Sequence, residues 1–92
     1  MKRAIVIDAK DNVATALTGI ESGDMVTVVS SSQNKVCEIK ITEAIPFGHK
    51  LAIMAITKGD KVVKYGEPIG RASRDIGLGD YVHINNVDSN RI

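Results

Sequence analysis

The apolar stretches of this sequence are short and are cut by glycine-bearing turns, a rhythm that long helices cannot satisfy. "RAIVID", "MVTVVS", "VVKYG" and "YVHINN" are rich in β-branched or aromatic residues, and "ESGD", "KGDK" and "LGD" separate such runs. "VCEIKIT" alternates, with Cys37, Ile39 and Ile41 on one face and Glu38, Lys40 and Thr42 on the other, the pattern of a strand with one wet side. "GEPIGRA" reads as a further glycine-rich turn, and Pro46 and Pro68 read as turn residues. One segment departs from the strand period. In "DNVATALTGI" the residues Val13, Ala16, Leu17 and Ile20 follow helical spacing, and Asp11 or Asn12 is suited to capping, so a short helix is expected, stopped near Gly19. "LAIMAI", residues 51 to 56, is apolar at both parities and fits either a strand buried on two sides or a short core helix. The expectation is a compact, mostly β fold with one short helix near the N-terminus. No internal repeat is evident.

A chain of 92 residues is expected to form one domain over residues 1–92, with 88–92 a tail or linker stub. A domain of that size buries only roughly 60 to 65% of its unfolded surface, which favours reliance on a partner. Net charge is +1 without any block of like charge, and aromatic residues make up 3% with no Trp, so phosphate tracking and base stacking are both poorly supported; nucleic acid is not an expected partner. The lone Cys37 reads as a small buried hydrophobe in a reducing compartment. "AIVI" is too short for the core of a signal peptide and no run spans a bilayer, so the expected location is cytoplasmic with no membrane partner.

Polar chemistry gathers at three turns: "PFGHK" at 46–50, "KYGEPIG" at 64–70 and "GDYVHINN" at 79–86. An imidazole beside a fixed cation, His49 with Lys50, can orient, protonate or bind an acid; the plainer alternative is a turn histidine bonded to backbone. Phe47 is expected to anchor that turn in the core while Gly48 lets the backbone bend. His83 shares a strand face with Tyr81 and Asn85. His49 or His83 could ligate a metal, although no HxxxH or CxxC spacing enforces one. Tyr65 is either a hydrogen-bond donor to a ligand or a seal on the core edge. No serine, cysteine or carboxylate carries a paired base at a recognisable spacing, so the chain lacks a full catalytic set.

Taken in order, "IPFGHKLAI", "KGDKVVKYGEPIGRA" and "GDYVHINN", preceded by "DNVATALTGIESGD", resemble the SAF domain of the altronate/galactarate dehydratase family over residues 8 to 87. The resemblance implies a compact β-clip, either fused ahead of a large catalytic domain or standing as a small subunit; this chain resembles the separate form. An excised domain of a longer chain would read the same. It further implies a hydro-lyase that is inactive alone, converting a sugar acid to a 2-keto-3-deoxy acid with a divalent metal, iron, held mainly by a large catalytic partner subunit. By the same resemblance His49, Lys50 and His83 would be catalytic, and Tyr65, Asn85 and Asn86 would bind substrate. The alternatives are the small subunit of a sulfolactate sulfo-lyase, or a non-catalytic module for sugar-acid binding or assembly, including homo-oligomer formation. The family's closing motif, His-x-His-Asn, appears here as "HINN", with Asn85 in place of the second His, and Tyr81 stands where Trp is common. An amide cannot shuttle a proton, which bears on metal contact and on the substrate.

Overall fold

The computed structural model describes residues 2–89. Nine strands run in the order β1 (Lys2–Ile5), β2 (Val13–Ala16), β3 (Met25–Val29), β4 (Lys35–Lys40), β5 (Lys50–Ala52), β6 (Lys61–Lys64), β7 (Glu67–Ala72), β8 (Tyr81–Val82) and β9 (Val87–Asp88). They form a six-stranded sheet, β4-β3-β1-β2-β5-β8, and a three-stranded sheet, β6-β7-β9. Adjacent strands are antiparallel except β1 and β3. Among the described residues no helix is long and apolar enough to cross a membrane.

The expected helix at 11–20 is replaced by β2. Its amides are drawn across the sheet: Ala16 N–H donates to the His49 carbonyl and Leu17 N–H to the Arg3 carbonyl. β2 lies between β1 and β5 and is buried on both faces, Ala14 and Ala16 in one apolar cluster and Val13 in the other. Burial on two sides removes the alternation that marks a strand, and the residual spacing of Val13, Ala16 and Ile20 imitates a helix. Asp11, expected as a helix cap, instead accepts the backbone N–H groups of Ile7, Asp8 and Gly66 and so ties the 6–12 loop to the β6–β7 turn. Burial pushes its carboxyl up, but the N–H donors of Gly66, Asp8, Ile7 and Tyr65 outweigh this and hold it below the ordinary aspartate value.

"LAIMAI" also divides between two cores, Leu51 in the first and Ala52 and Ile56 in the second, and its strand ends at Ala52. "GEPIGRA" is not a turn but β7, with Pro68 opposite Val63 beside a register shift and outside the β7–β9 ladder, where its missing N–H is tolerated. A Cβ at Gly70 would stand 2.7 Å from the Asp88 carbonyl oxygen, so only glycine lets β9 approach. Val87 and Asp88, expected near a loose end, pair as β9 with Ala72 and Arg71; the remainder of the expected tail beyond Ser89 lies outside the described residues. Cys37 is partly buried against the first core, and that burial raises its thiol pKa.

The chain does contain a repeat. "IESGDMV" (20–26), "IPFGHKL" (45–51), "ITKGDKV" (56–62) and "IGLGDYV" (76–82) share the pattern Ile-x-x-Gly-Asp/His-x-Val/Leu. The glycines have φ of +89°, +83°, +91° and +84°, as the third residue of a type II turn requires. In each copy the fifth residue's N–H donates to the second residue's carbonyl: Asp24 to Glu21, His49 to Pro46, Asp60 to Thr57 and Asp80 to Gly77. A reciprocal pair of bonds then clamps each turn to one residue, Ile41, Ala16, Ala72 and Ala52 respectively, which accepts from the glycine N–H and donates to the fifth residue's carbonyl. The leading isoleucines pair across the structure, Ile20 with Ile45 and Ile56 with Ile76, and these and the closing Val26, Leu51, Val62 and Val82 are all buried. Uneven spacing along the chain, and variable second, third and sixth positions, hide this repeat from a scan of composition and period.

Candidate functional site

Antiparallel pairing of β5 with β8 sets Lys50 opposite Val82 and Leu51 opposite Tyr81, which carries the side chains that follow the second and fourth turns to one place. There His49, Lys50, Tyr81, Val82, His83 and Ile84, with Ile69, Val87 and Ser89, line a cavity of about 480 Å³. The Tyr81 hydroxyl and His49 Nδ1 are 2.5 Å apart, and the two rings meet edge to face with centroids 5.6 Å apart. On its other side Tyr81 stacks against His83, centroids 4.1 Å apart and planes 27° from parallel. Lys50 is half-buried and has no ion-pair partner among the described residues. Desolvation, with a smaller contribution from the nearby Lys64 charge, lowers its pKa below the ordinary lysine value. A cation in that condition gains from an incoming anion.

The turn repeat shows what the imidazole replaces. In the first and fourth copies the fifth residue is an aspartate that bends back on its own turn: Asp24 Oδ2 accepts from Glu21 N–H at 2.8 Å, and Asp80 Oδ2 from Gly77 N–H at 2.7 Å. In the second copy the residue in that donor position is Pro46, which has no N–H. Pro46 thus rules out the fold-back bond here, which among the described residues is also not made by Asp60 in the third copy although Thr57 keeps its N–H, and His49 turns to Tyr81 instead.

A family described as the altronate/galactarate dehydratase SAF domain matches residues 2–90. The chain belongs to that family. This SAF domain is 39% identical over 90 residues to an altronate dehydratase of Bacillus subtilis (strain 168), an alignment that takes in 98% of this chain and 17% of the relative. It is 40% identical over 86 residues to an altronate dehydratase of Escherichia coli (strain K12), 94% of this chain against 16% of the relative. With the (2R)-sulfolactate sulfo-lyase subunit alpha of Chromohalobacter salexigens it shares 38% identity over 88 residues, 95% of this chain and 94% of that subunit. The SAF domain therefore spans a minor part of the altronate dehydratases it matches and almost all of the sulfo-lyase subunit.

Of the residues singled out in the sequence, His49, Lys50 and His83 lie together on the cavity. Tyr65 does not line it: at φ +57° it sits in the β6–β7 turn, half-exposed, with Lys64 Nζ 4.8 Å from its ring centroid. Asn85 is exposed in a turn rather than on a strand face, because β8 ends at Val82, and it too is absent from the cavity lining. Asn86 is buried and occupied: its Oδ1 accepts from His83 N–H at 2.9 Å and its Nδ2 donates to the Tyr81 carbonyl at 2.8 Å, closing the turn that presents His83. It braces the turn and is not among the residues that line the cavity. Phe47, expected in the core, is 70% exposed; it occupies the outward tip of its turn, and the anchoring role belongs to Ile45. Tyr81, which the sequence placed on one strand face with His83 but to which it assigned no site role, also lines the cavity.

Among the described residues no group of three or more His, Cys, Asp or Glu could by itself hold a metal ion, and the contact with Tyr81 leaves Nε2 as the open nitrogen of His49.

Proposed function

We propose that this SAF domain forms one wall of the active site of a cytoplasmic sugar-acid dehydratase of the altronate or galactarate type, completed by a larger catalytic partner and inactive without it. The observation that carries this reading is the meeting of a half-buried, unpaired Lys50 with two imidazoles, His49 and His83, on one open cavity. Loss of water from a 2,3-dihydroxy acid removes a proton from C2 and breaks the C3–O bond, and the hydroxyl leaves with a proton as water; the enol formed becomes a 2-keto acid. Lys50 suits the substrate carboxylate, and the imidazoles suit the two proton movements near neutral pH. The one further titratable group among the described cavity residues is Tyr81, already engaged by His49, so a second protein surface is called on to supply the rest. In this reading the divalent iron implied by the family resemblance belongs to the larger partner.

A second reading has support of its own. The likeness to the sulfo-lyase subunit alpha supports a substrate that releases sulfite rather than hydroxide from the same position of a 2-hydroxy acid. Purifying the chain with its co-expressed large partner and assaying altronate, galactarate and sulfolactate separates the two. His49→Ala is expected to lower turnover by about 10²- to 10⁴-fold, the usual contribution of a proton-transfer group, with assembly retained. Full activity in both His49→Ala and Lys50→Ala would refute the site.

A further inference from the structure

We infer that Tyr81 is the positioning residue of this site: its hydroxyl holds the His49 ring by Nδ1 in one orientation and leaves Nε2 without a protein partner, while its ring is the platform on which His83 rests. The contacts are the 2.5 Å bond to Nδ1, the edge-to-face meeting with His49 and the stack on His83. Among the described residues Nε2 of His49 has no partner.

Tyr81 is itself well held. Its backbone pairs with Leu51, its N–H donates to Glu43 Oε2 at 3.3 Å, its carbonyl accepts from Asn86 Nδ2, and its ring packs against the first core. His49 lacks any such support from its own turn, because Pro46 has removed the donor that fixes the fifth side chain in the first and fourth copies. An exposed histidine on a turn would ordinarily sample several rotamers and both neutral tautomers. A hydroxyl bonded to Nδ1 can donate or accept, so what it fixes is the orientation of the ring, and the same residue sets the spacing between the two imidazoles.

The inference rests on the proposed role of His49 only for its effect on rate, so the experiment has two arms. In the first, NMR side-chain couplings in the whole chain are expected to show a single His49 χ1 rotamer in the native protein and a rotamer mixture in Tyr81→Phe. A native protein that already shows the mixture overturns the inference, and that result needs no variant to fold. In the second, the complex with the large partner is assayed with the acid it turns over. Tyr81→Phe, which keeps the ring stack, is expected to lower kcat by about tenfold, the loss of a well-placed proton-transfer geometry, with KM within about twofold. Unchanged kcat in Tyr81→Phe alongside a collapse in His49→Ala refutes the positioning role and leaves the dehydratase reading standing. An inactive native complex with a single His49 rotamer does the reverse.

Discussion

The turns at 76–80 and 45–49 are built to one plan and stand at opposite ends of the antiparallel β5–β8 pair, yet they use the residue after glycine in different ways. In the first, Asp80 folds back on Gly77 N–H and also accepts the Thr42 hydroxyl at 2.7 Å, so its charge is fully employed in holding the loop. In the second, proline deletes the donor and histidine replaces the carboxylate, so the side chain is directed at a cavity. Backbone geometry is the same in both, φ +84° and +83° at the glycine, with the same clamping bonds. Removing that one backbone donor takes away the fold-back bond at the second turn, while the clamping bonds that hold the turn in the fold are kept.

Restoring the structural version of the second turn tests this most severely. Pro46→Ala with His49→Asp supplies both donor and acceptor, and the added charge-assisted bond is expected to contribute about 1 kcal/mol, raising the thermal midpoint by about 4 to 8 °C for a domain of this size. Turnover in the complex is expected to fall by about 10³-fold. Calorimetry and an activity assay on the same preparation check it, and a lower midpoint would mean that the two turns are not interchangeable.

A sharper contrast concerns the glycines. All four turns require positive φ, but their surroundings differ: a Cβ at Gly59 meets nothing within 4 Å, whereas one at Gly79 would collide with the Lys40 carbonyl oxygen and approach Ile39 Cγ2 to 3.3 Å. Gly59→Ala is expected to cost about 1 kcal/mol, the left-handed strain alone. Gly79→Ala adds a backbone clash and is expected to cost about 3 kcal/mol in urea unfolding. Equal losses would show that the β4 edge yields where the structure has it rigid.

Much of this fold was open to sequence reading, because the alternation in "VCEIKIT" and the glycine-bounded runs follow directly from the strand period. What misled was burial on two faces. β2 and "LAIMAI" each divide their side chains between two cores, so neither alternates, and "GEPIGRA" hides a strand because Gly70 answers to a close approach by β9 that only the folded chain contains. The site was legible in part for the same kind of reason. His49, Lys50 and His83 stand beside recognisable turns, while Tyr65 and Asn85 share the composition of such turns without facing the cavity. The contribution of Pro46 emerges only by comparison with copies whose amide is bonded.

The sixth position of the repeat offers a subtler comparison, because two copies place a lysine there. Lys61 is exposed, whereas Lys50 is half-buried on the cavity. Desolvation, then Lys64, lowers the Lys50 pKa, so the folded chain disfavours its charged form. A lysine with a depressed folded value makes an unfavourable contribution below that value, and the contribution fades as pH rises through it toward the unfolded one. Lys50→Met is therefore expected to raise stability slightly at neutral pH, and Lys61→Met to leave it unchanged. A bound carboxylate has the opposite linkage: it favours the ammonium, so affinity is full below the depressed value and declines as pH climbs through it. The KM of the complex for its acid should follow that course, rise about tenfold in Lys50→Met through loss of a charge-assisted bond, and become insensitive to alkaline pH in Lys50→Arg, whose charge persists. A KM that stays flat with lysine at position 50 would separate this cation from the substrate carboxylate and make the two lysines equivalent after all.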